Sequence, residues 1–319
     1  MQTIVTLDFL VPIIDNFGDL GFALELALGL TRCDPSIRVR IWSQSHELFV
    51  QMLPNCPQDI EYHDLGDYNP EIESPLACTF FGYKLGQGVH SHKRILQFDY
   101  LQFAGAPDSP SSRAITSFHG TQYSDRALDI THLVPSIGSA GGGIVPRTLA
   151  PLSPTTAAAL TREKLATVFV YPSTYTAIEP VLRAHPEWQF LILGQNTTTS
   201  SIQDANLSFL PFLPITEVPA LYAECHLNIV RGENTLVTAL TSGRPFLWDI
   251  YQESNGVHSA KMQDFVDYLP GDCQYLEEFM RSPALTLERL LSGGTPGSIL
   301  VPPLPDLVAL VQSWITDSK

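Results

Sequence analysis

The sequence predicts an α/β protein made of two doubly wound halves, each a mostly parallel sheet flanked by helices. Three observations predict it. Short β-branched and apolar runs alternate with helix-length amphipathic segments along the chain. The length of 319 residues suits two domains of ordinary size. The stretch from His226 to Gln252 reads as strand, polar turn, helix, strand, which is half of such a layer. Within it, Leu227, Ile229 and Val230 form a short buried strand and Arg231-Gly232-Glu233 the turn. Asn234 or Thr235 caps a helix with Leu236, Val237 and Leu240 on its apolar face, and Gly243 ends it. Ligands of such layers sit beyond the carboxyl ends of the strands, where N–H groups at a helix start suit a phosphate or diphosphate. Spacing alone favours an ordinary βα turn with an N-cap over a phosphate site.

The other elements follow in order. Thr3 to Val11 is the first strand, limited by Pro12. Asn16 and Gly18 are turn residues, and Asp19 is placed to cap a helix with Leu20, Ala23, Leu24, Ala27 and Leu28 on one face. Asp34-Pro35 stops that helix. Ile37 to Trp42, Asp59 to His63, Leu76 to Phe81 and Ile95 to Leu101 are strands, and Ser45 to Leu53 is a short helix. Ser109 to Thr121, rich in Ser, Pro and Gly, is loop around a short strand. Ser136 to Ser153, rich in Gly and Pro, ends in an interdomain linker, dividing the chain into 1–153 and 154–319. In the second half, Ala166 to Tyr171, Trp188 to Leu193, Leu207 to Phe212 and Pro245 to Trp248 are strands. Tyr175 to Ala184, Glu217 to Cys225, Val257 to Tyr268 and parts of Tyr275 to Leu291 are helices. Pro305 to Thr316 is a final helix, with Leu307, Leu310, Val311 and Trp314 on one face, able to pack back on the first half.

Composition excludes several classes. A hydrophobic fraction of 44% supports packed cores, and no run is long and apolar enough to span a membrane. The opening residues lack the basic start of a signal peptide. Five dispersed cysteines without a C-x-x-C pair read as free thiols of a cytoplasmic protein. A net charge of −15 argues against direct nucleic-acid binding, which needs a concentrated basic surface.

Asp15 and Asp19 lie four apart across the turn after the first strand. Two carboxylates there suit holding and deprotonating a nucleophile, or holding a cationic acceptor; an Asx-turn and a plain N-cap suit the same residues. Glu233, at the mouth of a strand in the other half, suits a sugar hydroxyl or the helix dipole. Phe169-Val170-Tyr171 and Phe209 to Pro214 put aromatics at strand ends, where they stack on a base or fill a core. His90 and His92 have no matching ligand spacing, so no metal is expected. The halves carry no GxGxxG fingerprint.

Taken together, these segments resemble the EarP family, protein-arginine rhamnosyltransferases of elongation factor P. The resemblance rests on Ile14 to Gly21, Gln97-Phe98-Asp99-Tyr100-Leu101, Phe169-Val170-Tyr171 and Pro211-Phe212-Leu213-Pro214. It continues with Leu227 to Thr235 and Gly243-Arg244-Pro245-Phe246-Leu247-Trp248, in order across nearly the whole chain. It implies a GT-B fold, two Rossmann-like domains facing across a cleft, the first for the acceptor and the second for the nucleotide sugar. It implies inverting transfer of L-rhamnose from dTDP-β-L-rhamnose to an arginine of elongation factor P, with no cofactor and no metal. By the family pattern Asp19 is the general base and Asp15 helps hold the arginine. Phe212 stacks on thymine, with Phe169 lining the base pocket. Tyr171, Asn234 and Thr235 contact the diphosphate, Glu233 supports the donor, and Arg231 belongs to the same donor motif. The chain departs from that pattern at Asn234 and Thr235, where aspartate and serine are usual. It departs also at Ile215, where a base-reading glutamine is usual, at Asp249 (histidine) and at Gln252 (proline). Ile215 keeps open another nucleotide deoxysugar or acceptor. A nucleotide-sugar-binding protein without catalysis is the alternative of another class, and the paired Asp15 and Asp19 argue against it.

Overall fold

The computed structural model describes residues 4–13, 16–69, 74–81, 94–103, 129–137, 142–194, 205–251, 257–294, 296–297, 299 and 304–316. Asp15, the 109–121 loop, His90, His92, Gly141 and Gln252 lie outside the described residues. The chain divides into two compact units, Met1–Thr148 with Pro303–Lys319, and Leu149–Pro302.

The first unit runs β1 (Val5–Leu10), α1 (Asn16–Cys33), β2 (Ile37–Ser43), α2 (His46–Met52), β3 (Ile60–Asp64), β4 (Leu76–Phe80) and β5 (Arg94–Phe98). It continues with β6 (Gln102–Phe103), β7 (Asp129–Leu133) and β8 (Ser136–Ile137). Six strands form one parallel sheet in the order β3-β2-β1-β4-β5-β7, while β6 and β8 pair separately. The chain therefore winds one way from β1 to β3, then the other way from β4. The switch point lies between β1 and β4. A parallel sheet covered on both faces reads as continuous apolar runs, and all five residues of β4 are buried. Phe9 packs tilted on Phe80 with centroids 5.1 Å apart, Phe80 stacks on Phe98 at 5.0 Å, and Phe22 of α1 meets Phe98 edge-on at 5.7 Å. On the other face the fully buried Asp8 accepts Arg40 Nε and Nη2 at 2.7 and 2.9 Å, Trp42 Nε1 at 3.0 Å and Ser74 N at 3.0 Å. The alternation Arg38-Val39-Arg40 thus hides one arginine that neutralises a core carboxylate.

The second unit runs α3 (Pro154–Ala159), β9 (Lys164–Val168), α4 (Pro172–Ala184), β10 (Trp188–Ile192), β11 (Leu207–Phe209), α5 (Val218–Glu224) and β12 (Leu227–Arg231). Then come α6 (Gly232–Thr241), β13 (Phe246–Asp249), α7 (Val257–Tyr268), α8 (Gln274–Arg281) and α9 (Pro283–Gly293). Its five strands are parallel in the order β11-β10-β9-β12-β13, with the switch point between β9 and β12. Two polar residues face each other inside that central pair. Thr167 donates to Asn228 Oδ1 at 2.7 Å, and Asn228 Nδ2 donates to the Tyr222 carbonyl at 3.1 Å, so neither is left unsatisfied.

The final helix α10 (Leu307–Thr316) belongs to the first unit. It lies so close to α1 that a Cβ on Gly29 would meet Val308 Cγ2 at 2.5 Å. Arg94 lies over the Trp314 ring at 4.8 Å and donates to its carbonyl at 3.0 Å. No described helix is long and apolar enough to cross a membrane. All five cysteines are free.

Several expectations are corrected. Asp19 does not cap α1; the helix begins at Asn16 and Asp19 sits in its first turn. The helix of the central motif starts at Gly232, so Asn234 and Thr235 are first-turn residues and not caps. β11 stops at Phe209, leaving Phe212 in a loop. Leu310 is exposed, and Val308 and Ile315 take its place in the buried stripe of α10. β7 was not legible at all.

His185, at the C-terminal end of α4, bonds Glu187 at 3.1 Å and Glu288 of α9 at 3.2 Å. Burial opposes its charged form, but the bonds and charges of the two glutamates outweigh that and raise its pKa above the ordinary value. A raised folded-state pKa gives stability that is present in acid and is lost as pH rises through it. The thermal midpoint of the wild type should therefore fall towards that of His185→Gln between about pH 6 and pH 8. A constant difference across that range would refute the charge argument.

Candidate functional site

The carboxyl ends of β9 and β12 flank the switch point of the second unit, and the residues after them converge there. β9 leads into Phe169-Val170-Tyr171, and β12 ends at Arg231. Gly232 takes φ +69°, in the left-handed region that favours glycine, so the chain turns at once from strand to helix. Helix α6 therefore opens without a side-chain bond from its N-cap residue, and its N-terminal end points to the carboxyl end of the sheet. Trp248 Nε1 donates to the Gly232 carbonyl at 3.1 Å and pins the turn to β13.

Arg231 supplies the cation. Its guanidinium lies 4.4 Å from the Phe169 ring and 5.1 Å from the Tyr171 ring, and donates to the Val170 carbonyl at 3.3 Å. Phe169 is held from the other side, because a Cβ on Gly194 would meet its Cε2 at 2.5 Å. Arginine and helix start together make a site of positive potential. Asn234 and Thr235 lie half-buried in the first turn; the Thr235 hydroxyl donates to the Arg231 carbonyl.

Glu233 is turned aside, to Lys261 of α7. The Lys261 side chain is only 3% exposed, so its ammonium is withdrawn from water while Glu233 stays partly exposed. Sequence reasoning missed Lys261, although a signal existed: it stands four residues before Phe265, on the buried stripe of α7. It also missed the task of Asp249. This buried carboxylate accepts the Tyr171 N–H at 2.7 Å and the Thr174 hydroxyl at 2.9 Å. Burial pushes its pKa up, against those bonds and the pull of Arg231. Tyr251, half-exposed, meets the Tyr171 ring edge-on at 5.6 Å.

The remaining expected residues take their places within each unit. Phe212 is among the exposed large hydrophobic residues, in the loop after β11. Ile215, three residues on, is buried and presents no polar group. In the first unit Asp19 is 3% exposed at the start of α1, beside that unit's own switch point. At the end of β4, Phe81 has φ +41°, a conformation that costs a phenylalanine free energy. Its ring is wedged against Phe22 and Tyr100, at 5.4 and 5.0 Å.

The pairing of Glu233 with a buried lysine has a measurable consequence. Glu233→Leu removes the carboxylate partner of a buried ammonium and should cost about 3–5 kcal/mol. Glu233→Leu with Lys261→Met should regain most of that loss in chemical denaturation, because both charges are then gone. Additive losses in the double variant would show that the two groups are not coupled.

Comparison with known proteins gives this geometry a context. Residues 159–282 match the family model described as Elongation-Factor P (EF-P) rhamnosyltransferase EarP. A protein-arginine rhamnosyltransferase of Pseudomonas aeruginosa is 24% identical over 83% of this chain and 83% of its own. One from Shewanella oneidensis is 33% identical over 63 residues, 20% of this chain and 16% of its own. Among solved structures, the spinosyn rhamnosyltransferase SpnG is similar with a TM-score of 0.53 at 15% identity, covering 98% of this chain and all of its own. At that identity the likeness speaks for the fold, which is GT-B. The family match spans the α4–α6 site itself, from β9 through Arg231-Gly232-Glu233 to α8. Through residues 159–282 the chain is similar to the EarP family, and its fold is that of the GT-B glycosyltransferases.

Proposed function

We propose that the protein transfers L-rhamnose, with inversion, from dTDP-β-L-rhamnose to an arginine side chain of elongation factor P. The observation that carries this reading is the convergence at the β9–β12 switch point. The N-terminal end of α6, the Arg231 guanidinium and the rings of Phe169 and Tyr171 meet there. That set suits a diphosphate with an aromatic base beside it. The family model's description and the name of the P. aeruginosa relative supply the acceptor and the sugar. SpnG has also been solved complexed with thymidine diphosphate.

The acceptor poses the chemical problem. A guanidinium loses its proton only above about pH 12, so it is a poor nucleophile. A carboxylate with a pKa of about 4 does not deprotonate it in the ground state. In our reading Asp19, with Asp15, orients the guanidinium and accepts its proton as the C–N bond forms. Proton loss becomes easier once that nitrogen's lone pair leaves the delocalised system. The bond from the anomeric carbon to the diphosphate breaks in the same event. Its electrons go to the diphosphate oxygen, whose charge the α6 N–H groups and Arg231 stabilise. Phe212 stacks on the base, and Glu233, steadied by Lys261, supports the sugar. No metal takes part, and the protein works in the cytoplasm.

Asp19→Asn should lower transfer at least about a hundredfold, the usual worth of a general base, while dTDP binding measured by calorimetry stays unchanged. Near wild-type turnover would remove Asp19 from that role. Transfer should continue unchanged in excess EDTA; a loss restored by a divalent ion would sink the metal-free reading. A second reading, transfer of a different nucleotide deoxysugar, is favoured by the buried, apolar Ile215. Mass spectrometry of elongation factor P after incubation with the enzyme separates the two. A gain of one deoxyhexose on a single arginine, from dTDP-rhamnose, supports the first.

A further inference from the structure

We infer that Asp249 is a positioning residue of the nucleotide-sugar site: its carboxylate sets the backbone of Tyr171 and the first turn of α4 beside the Arg231 guanidinium. The inference rests on the reading of that site given above.

Helix α4 has a weak start by its own sequence. Tyr171 is its N-cap and makes no side-chain capping bond, and Pro172 follows. The missing acceptor arrives from a strand instead. Asp249 is the last residue of β13, paired in register with Arg231, the last residue of β12. From there one oxygen takes the Tyr171 N–H at 2.7 Å and the other takes the Thr174 hydroxyl at 2.9 Å. Tyr171 is the cap position and Thr174 the third residue of the helix, so the carboxylate closes a capping box from outside the helix. This bond holds Tyr171 at φ −67° and ψ 153°, and the direction of its ring follows from that backbone. The ring in turn lies 5.1 Å from the Arg231 guanidinium and 5.6 Å from the Tyr251 ring.

The same carboxylate stands close enough to Arg231 for the two charges to attract. It therefore holds both walls of the site, the aromatic one by hydrogen bonds and the cationic one by charge. Both its oxygens accept hydrogen bonds from α4, so the carboxylate serves that helix start and the neighbouring arginine. Loss of Asp249 should thus loosen binding of the diphosphate more than it slows bond-making. A residue that merely caps α4 would change stability alone.

The test compares the full chain with Asp249→Ala, Asp249→Asn, Thr174→Val and Thr174→Ser. The readouts are the thermal midpoint, the Kd for dTDP by calorimetry below that midpoint, and KM and kcat with dTDP-rhamnose. Asp249→Ala loses both bonds and should raise the dTDP Kd and the donor KM about tenfold, with kcat within about threefold. Asp249→Asn keeps an acceptor for the Tyr171 N–H but loses the charge, and should fall between. Should the alanine variant not fold, Asp249→Asn and Thr174→Val carry the test. Thr174→Val should weaken dTDP binding about threefold, and Thr174→Ser, which keeps the hydroxyl, should restore it. A dTDP Kd unchanged in Asp249→Asn and Thr174→Val, whatever the midpoint does, overturns the inference. So does a fall in kcat with unchanged KM. If the wild type binds UDP and not dTDP, the thymidine reading fails, and the same comparison with UDP decides the role of Asp249. If it binds neither nucleotide, both fail.

Discussion

The constraint on which the second unit depends is the reversal of winding between β9 and β12. Strands on either side of that pair are reached in opposite directions, so the connections diverge and leave the carboxyl ends of two adjacent strands uncovered. The cation and the aromatic rings of the site lie on the few residues at and after those ends. Gly232 lets α6 begin within one residue of β12, which brings the helix N–H groups to the gap and not to a loop beyond it. Arg231 is then the last residue whose side chain is directed by the sheet, and Phe169 and Tyr171 bracket it from the neighbouring strand.

Buried charges do the holding. Asp8 with Arg40, Glu233 with Lys261, and Asp249 with its two donors are each largely withdrawn from water. Glu25 and Arg147 in the first unit stand 3.9 Å apart, and burial pushes the Glu25 carboxyl up despite the arginine. Such groups give little net stability, since desolvation offsets most of their attraction. What they provide is direction: an ion pair or a doubly bonded carboxylate tolerates few geometries. In the second unit that direction serves the turn after β12. Glu233 is drawn to α7 and Asp249 to α4, so neither presents its carboxylate to the anion site made by α6 and Arg231.

The misreadings have physical causes. Helix α6 was read three or four residues late because its start uses backbone geometry at Gly232, and cap rules look for a side-chain oxygen. Strand β7, Asp-Ile-Thr-His-Leu, lies at the edge of its sheet and needs no long apolar run, so its pattern does not stand out from loop. Phe212 was read into a strand because aromatic and apolar residues continue past Phe209, yet Pro211 denies the ladder a donor there. Leu310 fits the helical stripe by spacing, but the face that α1 covers is rotated towards Val308 and Ile315.

The sequence by itself determined the parallel α/β class, the order of most elements, the motif around Arg231 and the family resemblance. These are local properties: periodicity, turn chemistry and short motifs survive without neighbours. Only the tertiary structure decided which charges are partnered and where the strands reverse. Glu233 and Lys261 are 28 residues apart, and Tyr171 and Asp249 are 78 apart. No local rule connects such pairs, because the sheet order that brings them together is a property of the whole unit. The central turn was legible as a phosphate-suited βα connection. That its arginine is bracketed by two aromatic rings, and its glutamate drawn aside by a buried lysine, was not.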